Sequence, residues 1–236
     1  MKDPFPFLLA NSDGGPIFFI FVFGFFALVA GLFYLGHRQA KKRKEALAEI
    51  AQSLDMKFSA EKQKPIELGL SGMGLFKRGR AQRIYNLMTG LFADTDCLFF
   101  DYRYRTGGGK NSSTHTQTVV AFKIAGASLP EFTCKPEYFF HKFADMFGFE
   151  DINFDAYPVF SKKYRLNGDD ADAVKTIFNS AVIEQLEAEK AAPWSVDGGG
   201  EWLVIHRAGK VVKPEDCSQF LLDATTLLNA MTLRSN

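Results

Sequence analysis

The sequence predicts an α+β fold: an N-terminal transmembrane helix followed by a mainly antiparallel sheet with helices packed on it. Three observations lead there. An apolar run of 19 residues, Ile17 to Leu35 (IFFIFVFGFFALVAGLFYL), carries no charged side chain. Period-two alternation dominates residues 68–124 and is clearest in CLFFDYRYR (97–105). Beyond that stretch, helical spacing of apolar residues alternates with short strand patterns.

The apolar run is long enough for a bilayer, since about 19 residues at roughly 1.5 Å each cover close to 28 Å. A cleaved signal peptide would have a shorter core, a basic start and a small-residue cleavage site. Only Lys2 precedes the run as a cation, and no A-x-A-like site follows it. The reading is therefore an uncleaved span over 17–36, with residues 1–16 outside the cytoplasm. Arg38, Lys41, Lys42, Arg43 and Lys44 follow directly. By the positive-inside rule they place the C-terminal side in the cytoplasm, at an inner membrane. The same five cations are a candidate lipid-headgroup contact. Gly24, Ala27 and Gly31 put small residues near one helix face, a weak self-association motif.

Residues 37–55 continue as a basic, then amphipathic, juxtamembrane helix, with Leu47, Ile50, Ala51 and Leu54 as its stripe. A cytoplasmic α+β domain is expected over 56–236, with 56–150 and 151–236 as two subunits of structure. Its first strands are LFKRGR (75–80) and 83–93, the latter with a bend or bulge at Gly90. In 97–105, Leu98, Phe100, Tyr102 and Tyr104 point one way, while Phe99, Asp101, Arg103 and Arg105 point the other. TGGGKNSST (106–114) connects to a returning strand, 114–124, as a hairpin with a long tip.

The second half reads as a short helix over 136–148 closed by Gly148, a strand at 159–166, and a helix capped by Asp169 or Asp170 running to about Glu189. Val174, Ile177, Phe178 and Ala181 form that helix's stripe. A hairpin over 194–207 turns at Asp197–Gly200, and a last helix, 214–233, starts at Pro214. Phe220, Leu221, Ala224, Leu227, Leu228 and Met231 are its core face. LPEFTCKPE (129–137) and YPVFSKKYR (157–165) share P-x-F-[TS]-x-K, which two related units or coincidence would equally produce.

Composition narrows function by exclusion. Of 28 Lys and Arg and 27 Asp and Glu, six and two fall in residues 1–44. The remainder of the chain is near −3, which argues against nucleic-acid binding. Cys97, Cys134 and Cys217 are odd in number and widely spaced, as expected of buried thiols rather than disulfides or a zinc site. Gly107–Lys110 lacks P-loop spacing. His37, His115, His141 and His206 form no H-x-x-x-H or H-E-x-x-H pair, so no metal and no cofactor is expected.

Two candidate surfaces remain. Asp101 and His115, with Thr118, would lie near one end of the hairpin and offer an acid beside an imidazole, the basis of a noncanonical enzyme site. Solvated polar positions by a loop have the same pattern. Asp101, Tyr102, Arg103, Tyr104, Arg105 and His115, with the 106–114 tip, form the preferred partner surface, because Tyr and Arg are favoured at interfaces.

The segments FDYRYRTGGG (100–109), QTVVAF (117–122), LPEFTCKPE (129–137) and FDAYPVFSKKYRLNGDD (154–170) resemble a family of bacterial proteins with one N-terminal membrane helix and no assigned activity. The resemblance implies a bacterial inner-membrane setting and carries no catalytic residue over. The expectation is a non-enzymatic, membrane-tethered domain that binds a protein partner or organises a complex. Lipid or envelope sensing through residues 38–44, and an enzyme using Asp101 and His115, are the alternatives.

Overall fold

The computed structural model describes residues 15–140, 151–189 and 192–232. The chain divides into two compact units between Glu45 and Ala46.

In the first unit, α1 (Gly15–Ser53) begins, a helix of 39 residues. At about 1.5 Å per residue it is roughly twice as long as a hydrocarbon core is thick. Among the described residues it is the one helix long and apolar enough to cross a membrane. Its Phe21, Phe23, Phe25, Phe26 and Phe33 are exposed, as they would be if lipid were their solvent. Gly24 and Gly31 have open space around them, with Ala27 exposed between them.

The second unit is built on eight strands. They are β1 (Lys57–Ser59), β2 (Arg80–Phe92), β3 (Thr95–Thr106), β4 (Ser113–Lys123), β5 (Leu129–Pro136), β6 (Tyr164–Gly168), β7 (Trp194–Gly200) and β8 (Trp202–Arg207). Their order is β1-β2-β3-β4-β8-β7-β5-β6, and every named pairing is antiparallel. The β4–β8 ladder, Val119↔His206 to Lys123↔Trp202, joins strands from 56–150 and 151–236 into one sheet. The described helices of this unit are α2 (Glu137–Phe140), α3 (Pro158–Lys163), α4 (Ala171–Ile177), α5 (Ser180–Ala188) and α6 (Cys217–Thr232).

Both sheet faces are buried, and the alternation along each strand sorts residues between them. One face sends Phe99, Val120, Phe122, Phe132, Cys134, Val196 and Ile205 against the helices. There Leu47 and Ala51 are fully buried, Ile50 and Leu54 pack at the margin, and the whole expected stripe of α6 is buried. The opposite face sends Ile84, Phe100, Tyr102, Tyr104, Val119 and Val204 against Leu70, Met73, Leu75 and Phe76. Each such large side chain contributes about 1.5–3 kcal/mol on burial.

The cover on that second face replaces the strand expected at 75–80. Residues 71–79 form a series of turns instead. Leu75 and Phe76 are consecutive, yet both pack into the same core on one face of the sheet, which strand alternation would not allow. Gly79 sits at φ 66, and a Cβ there would lie 2.4 Å from the Arg105 carbonyl oxygen. At Gly79 the covering chain therefore comes as close to β3 as only glycine allows.

Other elements also depart from expectation. Gly90 pairs regularly with Cys97; β2 is irregular between Arg80 and Arg83 and between Tyr85 and Met88, where Ala81 and Asn86 have φ 53 and 51. Gly90 is instead a close approach, since a Cβ would meet Met56 at 3.1 Å. The strand expected at 159–166 is helix α3 followed by β6. Pro158 opens the helix, and Lys163 reaches the carbonyls of Leu186, Glu187 and Glu189 at 2.7–3.1 Å, closing the end of α5. The P-x-F echo thus falls in a strand once and in a helix once, so it marks no repeat. The single helix expected to Glu189 breaks after Ile177: Asp170 caps α4 through Ala173 N–H, and Asn179 caps α5 through Val182 N–H. The break rotates the stripe, so Ala181 is exposed while Val182, Ile183 and Leu186 are buried. The 194–207 hairpin turns at Gly200–Glu201, with Gly200 at φ 58. Of the helix expected over 136–148, residues 137–140 are helical; its remainder, with His141 and Gly148, lies outside the described residues.

Because Leu47 at the end of α1 is part of this core, Leu47→Ala in the full-length protein in mild detergent should lower urea stability by about 2–5 kcal/mol. Tryptophan fluorescence would follow the transition. A loss below about 0.5 kcal/mol would remove Leu47 from the core.

Candidate functional site

The face covered by residues 71–79 turns polar toward β5, β7 and β8. Lys135, Asp197 and His206 project from those three strands and are each at most 4% exposed. Lys135 Nζ lies 3.1 Å from Asp197 Oδ1, and His206 Nε2 lies 4.0 Å from Asp197 Oδ2. Arg78, from the covering segment, is buried beside them. Gly74 passes so close above Asp197 that a Cβ would stand 2.6 Å from Oδ1 and 2.5 Å from Thr133 Cγ2.

Hydrogen bonding sets the histidine's tautomer. Gln117 Oε1 accepts the Gly209 N–H at 2.9 Å, which leaves its amide nitrogen to donate to His206 Nδ1 at 3.1 Å. The ring proton is then on Nε2, facing Asp197. Burial holds the imidazole neutral, with its pKa down to about 3; Asp197 opposes that shift, while Lys135 and Arg78 add to it. Burial also lowers Lys135 to about 8 against the pull of Asp197. The group therefore keeps one desolvated ion pair, the Arg78 cation beside it and one neutral ring.

Chemically this is a brace. Its cavity, lined by Arg78, Tyr104, Gln117, Lys135, Ser195 and His206 among others, has a volume of about 30 Å³. That is room for about two water molecules, against roughly 300–1,000 Å³ for ligand pockets. Ser195 pairs across from His206 but makes no side-chain hydrogen bond to it, so the nucleophile–base contact of acyl transfer is missing.

The expected Asp101–His115 pair does not form. Asp101 is paired with Thr118 and His115 with Tyr104, and Asp101 and Tyr104 project to opposite faces of β3. Asp101 accepts from Thr118 Oγ1 at 3.0 Å and Asn86 Nδ2 at 2.9 Å, while Thr118 Oγ1 accepts the Val212 N–H at 2.9 Å. The carboxylate thus ties β2, β4 and the loop after β8. His115 is 2.8 Å from Thr106 Oγ1 and stacks on Tyr104 at 4.9 Å.

Of the six residues expected to form a partner surface, Asp101, Tyr102 and Tyr104 are buried, His115 is half-buried, and Arg103 and Arg105 are exposed. β2 adds what sequence reading missed. Arg105 is paired with Arg80, and Arg103 with Arg83, so four arginines stand as two cross-strand pairs on one face. Each is held by a neutral acceptor. Arg103 Nη2 donates to Tyr85 Oη at 2.6 Å, with its guanidinium 4.9 Å from that ring's centre. Arg105 Nε donates to Thr114 Oγ1 at 3.3 Å, Arg83 Nη1 to the Gln82 carbonyl at 2.7 Å, and Arg80 to the Gly107 carbonyl. Among the described residues none of the four has an ion pair. On the first unit, Arg38, Lys41, Lys42 and Lys44 are exposed and Arg43 half-buried, with Lys41 3.8 Å from Glu45. No group of three potential metal-ligating side chains occurs among the described residues.

The sealed imidazole has a consequence for pH. His206 protonates near 6.5 in the unfolded chain but only near 3 in the native one. Between those values the unfolded state holds more protons, so acid favours unfolding. The contribution is complete above 6.5 and lost as the pH falls toward 3. His206→Gln should flatten this part of the stability–pH profile, measured by urea unfolding of the full-length protein. An unchanged slope would mean the ring titrates normally.

No protein-family model matches the chain, and no curated protein does. The crystal structure of the mycobacterial trehalose monomycolate transport factor A, TtfA, is similar, with a TM-score of 0.52 and 9% sequence identity. The match covers 80% of this chain and 95% of that one. At that identity the likeness is one of fold. One apolar N-terminal helix before an antiparallel α+β unit also fits the bacterial family that the sequence resembles.

Proposed function

We propose that this chain is a single-pass inner-membrane protein whose cytoplasmic domain binds a protein partner and helps organise an envelope-related assembly, without catalysing a reaction itself. The observation that carries this reading is the contrast between interior and surface. Lys135, Asp197 and His206, groups capable of acid–base chemistry, are buried, and the cavity beside Lys135 and His206 is only about 30 Å³, while four arginines stand exposed or half-exposed on two strands. A sealed interior and a structured charged face suit a binding module better than an enzyme. The protein of similar fold is a transport factor, and a supporting role in moving an envelope component is the version of this function we favour.

In this reading α1 is the anchor, the N-terminus lies outside, and Arg38, Lys41, Lys42, Arg43 and Lys44 hold the cytoplasmic side. Gly24, Ala27 and Gly31 would allow close approach of a second membrane helix. The partner surface is centred on Arg103 and Arg105, joined by Arg80 and Arg83. A second reading, sensing of anionic lipid by residues 38–44, is favoured by the exposure of four of those five cations.

Full-length protein purified from gently solubilised membranes should enrich a specific protein that an anchor comprising residues 1–44 alone does not. Arg103→Glu with Arg105→Glu should reduce that enrichment roughly tenfold, since reversed rim charges turn attraction to repulsion. Equal recovery with the anchor alone would contradict a role for the domain. Binding to anionic vesicles that disappears when residues 38–44 are neutralised would favour the second reading.

A further inference from the structure

Arginines placed directly opposite one another across two strands repel, and such pairs destabilise a sheet. Here two successive pairs do so, Arg80↔Arg105 and Arg83↔Arg103. Among the described residues no ion pair to any of the four relieves this cost. Nor is the array a loose cloud of charge. Tyr85, Thr114 and the carbonyls of Gln82 and Gly107 each hold one guanidinium, leaving its other N–H groups to a ligand. Thr114 and Thr116, the β4 partners of Arg105 and Arg103, extend the same face with hydroxyls.

We infer that this face binds an extended acidic segment of a partner protein, one whose carboxylates alternate with other residues. The inference rests on the binding reading above and names the chemistry of the partner. Three features select it. First, the two arginine rows are separated by two residues of β3, about 6.8 Å at strand rise, which is also the spacing of side chains i and i+2 in an extended peptide. Second, guanidinium forks match carboxylates in paired hydrogen bonds, and held forks lose less freedom on binding than lysines do. Third, diffuse attraction to an anionic bilayer needs no fixed geometry, and the cations at 38–44 already offer it. The rest of the domain is net acidic, so an acidic segment would be drawn to this face and repelled elsewhere.

The test uses full-length protein in its native membrane, with the photo-crosslinking amino acid p-benzoylphenylalanine introduced at Thr116. Illumination should give a crosslinked protein fragment whose sequence carries Asp or Glu at alternating positions. Arg83→Glu with Arg103→Glu should cut the yield roughly tenfold or more. Arg83→Gln with Arg103→Gln should also cut it, while thermal stability holds or rises because the repulsion is gone. That second variant separates lost binding from lost folding. Crosslinks to phospholipid, to a segment without alternating carboxylates, or to nothing would each overturn the inference. A non-acidic protein segment captured here would leave the general binding reading standing. If, in addition, no protein co-purifies with the full-length chain, that reading falls as well.

Discussion

The ion pair between Lys135 and Asp197 is the constraint around which the soluble unit is arranged. Both residues are essentially without solvent, and removing either partner alone would leave a desolvated charge, at a cost of about 3–5 kcal/mol. The pair forces choices on its neighbours. His206 stays uncharged because it is buried beside the cations of Lys135 and Arg78, and Gln117 fixes which ring nitrogen carries the proton. Gly74 must carry no side chain, because the covering segment passes within contact of Asp197. Arg78 enters from that segment, so the cover and the β5–β7–β8 region share one electrostatic environment.

This also explains why the sheet divides its second face. Toward β2–β4 it presents Phe100, Tyr102 and Tyr104, stacked at 5.3 Å for the two tyrosines, against Leu75 and Phe76. Toward β5–β7 it presents the polar brace. One glycine-rich segment covers both halves, and its buried apolar side chains hold the cover down while its glycines allow close passage. At the β2–β3 end of the sheet the helix-side core stops at Phe99 and Asp101, and the exposed Arg103 and Arg105 follow.

Much of this is legible in the sequence where one period runs unbroken. The α6 stripe and the 97–105 alternation follow from spacing alone, as does the helix end at Leu47 and Ala51. The break between α4 and α5 is hidden because Ile177 and Phe178 continue the stripe; the cap residue Asn179, followed by apolar Val182 and Ile183, is the signal that marks it. Residues 159–166 are β-prone in composition, yet Pro158 and the packing of Phe160 on Tyr164 at 5.3 Å favour a helical turn. The brace is not legible. Lys135, Asp197 and His206 are single polar residues in three separate strands, and no spacing rule links them until sheet order does. Asp197 is further masked by the glycines after it, which resemble a turn but pack in a buried strand: a Cβ at Gly198 would meet the Phe132 ring at 2.2 Å. The arginine ladder is half legible, since Arg103 and Arg105 alternate visibly, whereas Arg80 and Arg83 join them only through an irregular register.

The central claim is that the interior is sealed and function resides on the surface. Native-state hydrogen exchange on the full-length protein in detergent micelles tests it most directly. The account predicts that the hydrogen-bonded amides of Thr133–Lys135 and Val196–Gly199 exchange only through global unfolding, with the same denaturant dependence as the whole domain. Exchange of those amides through a smaller opening shared with residues 71–79 would contradict it. In that case the cover lifts in the native state and exposes Lys135, Asp197 and His206 to a ligand.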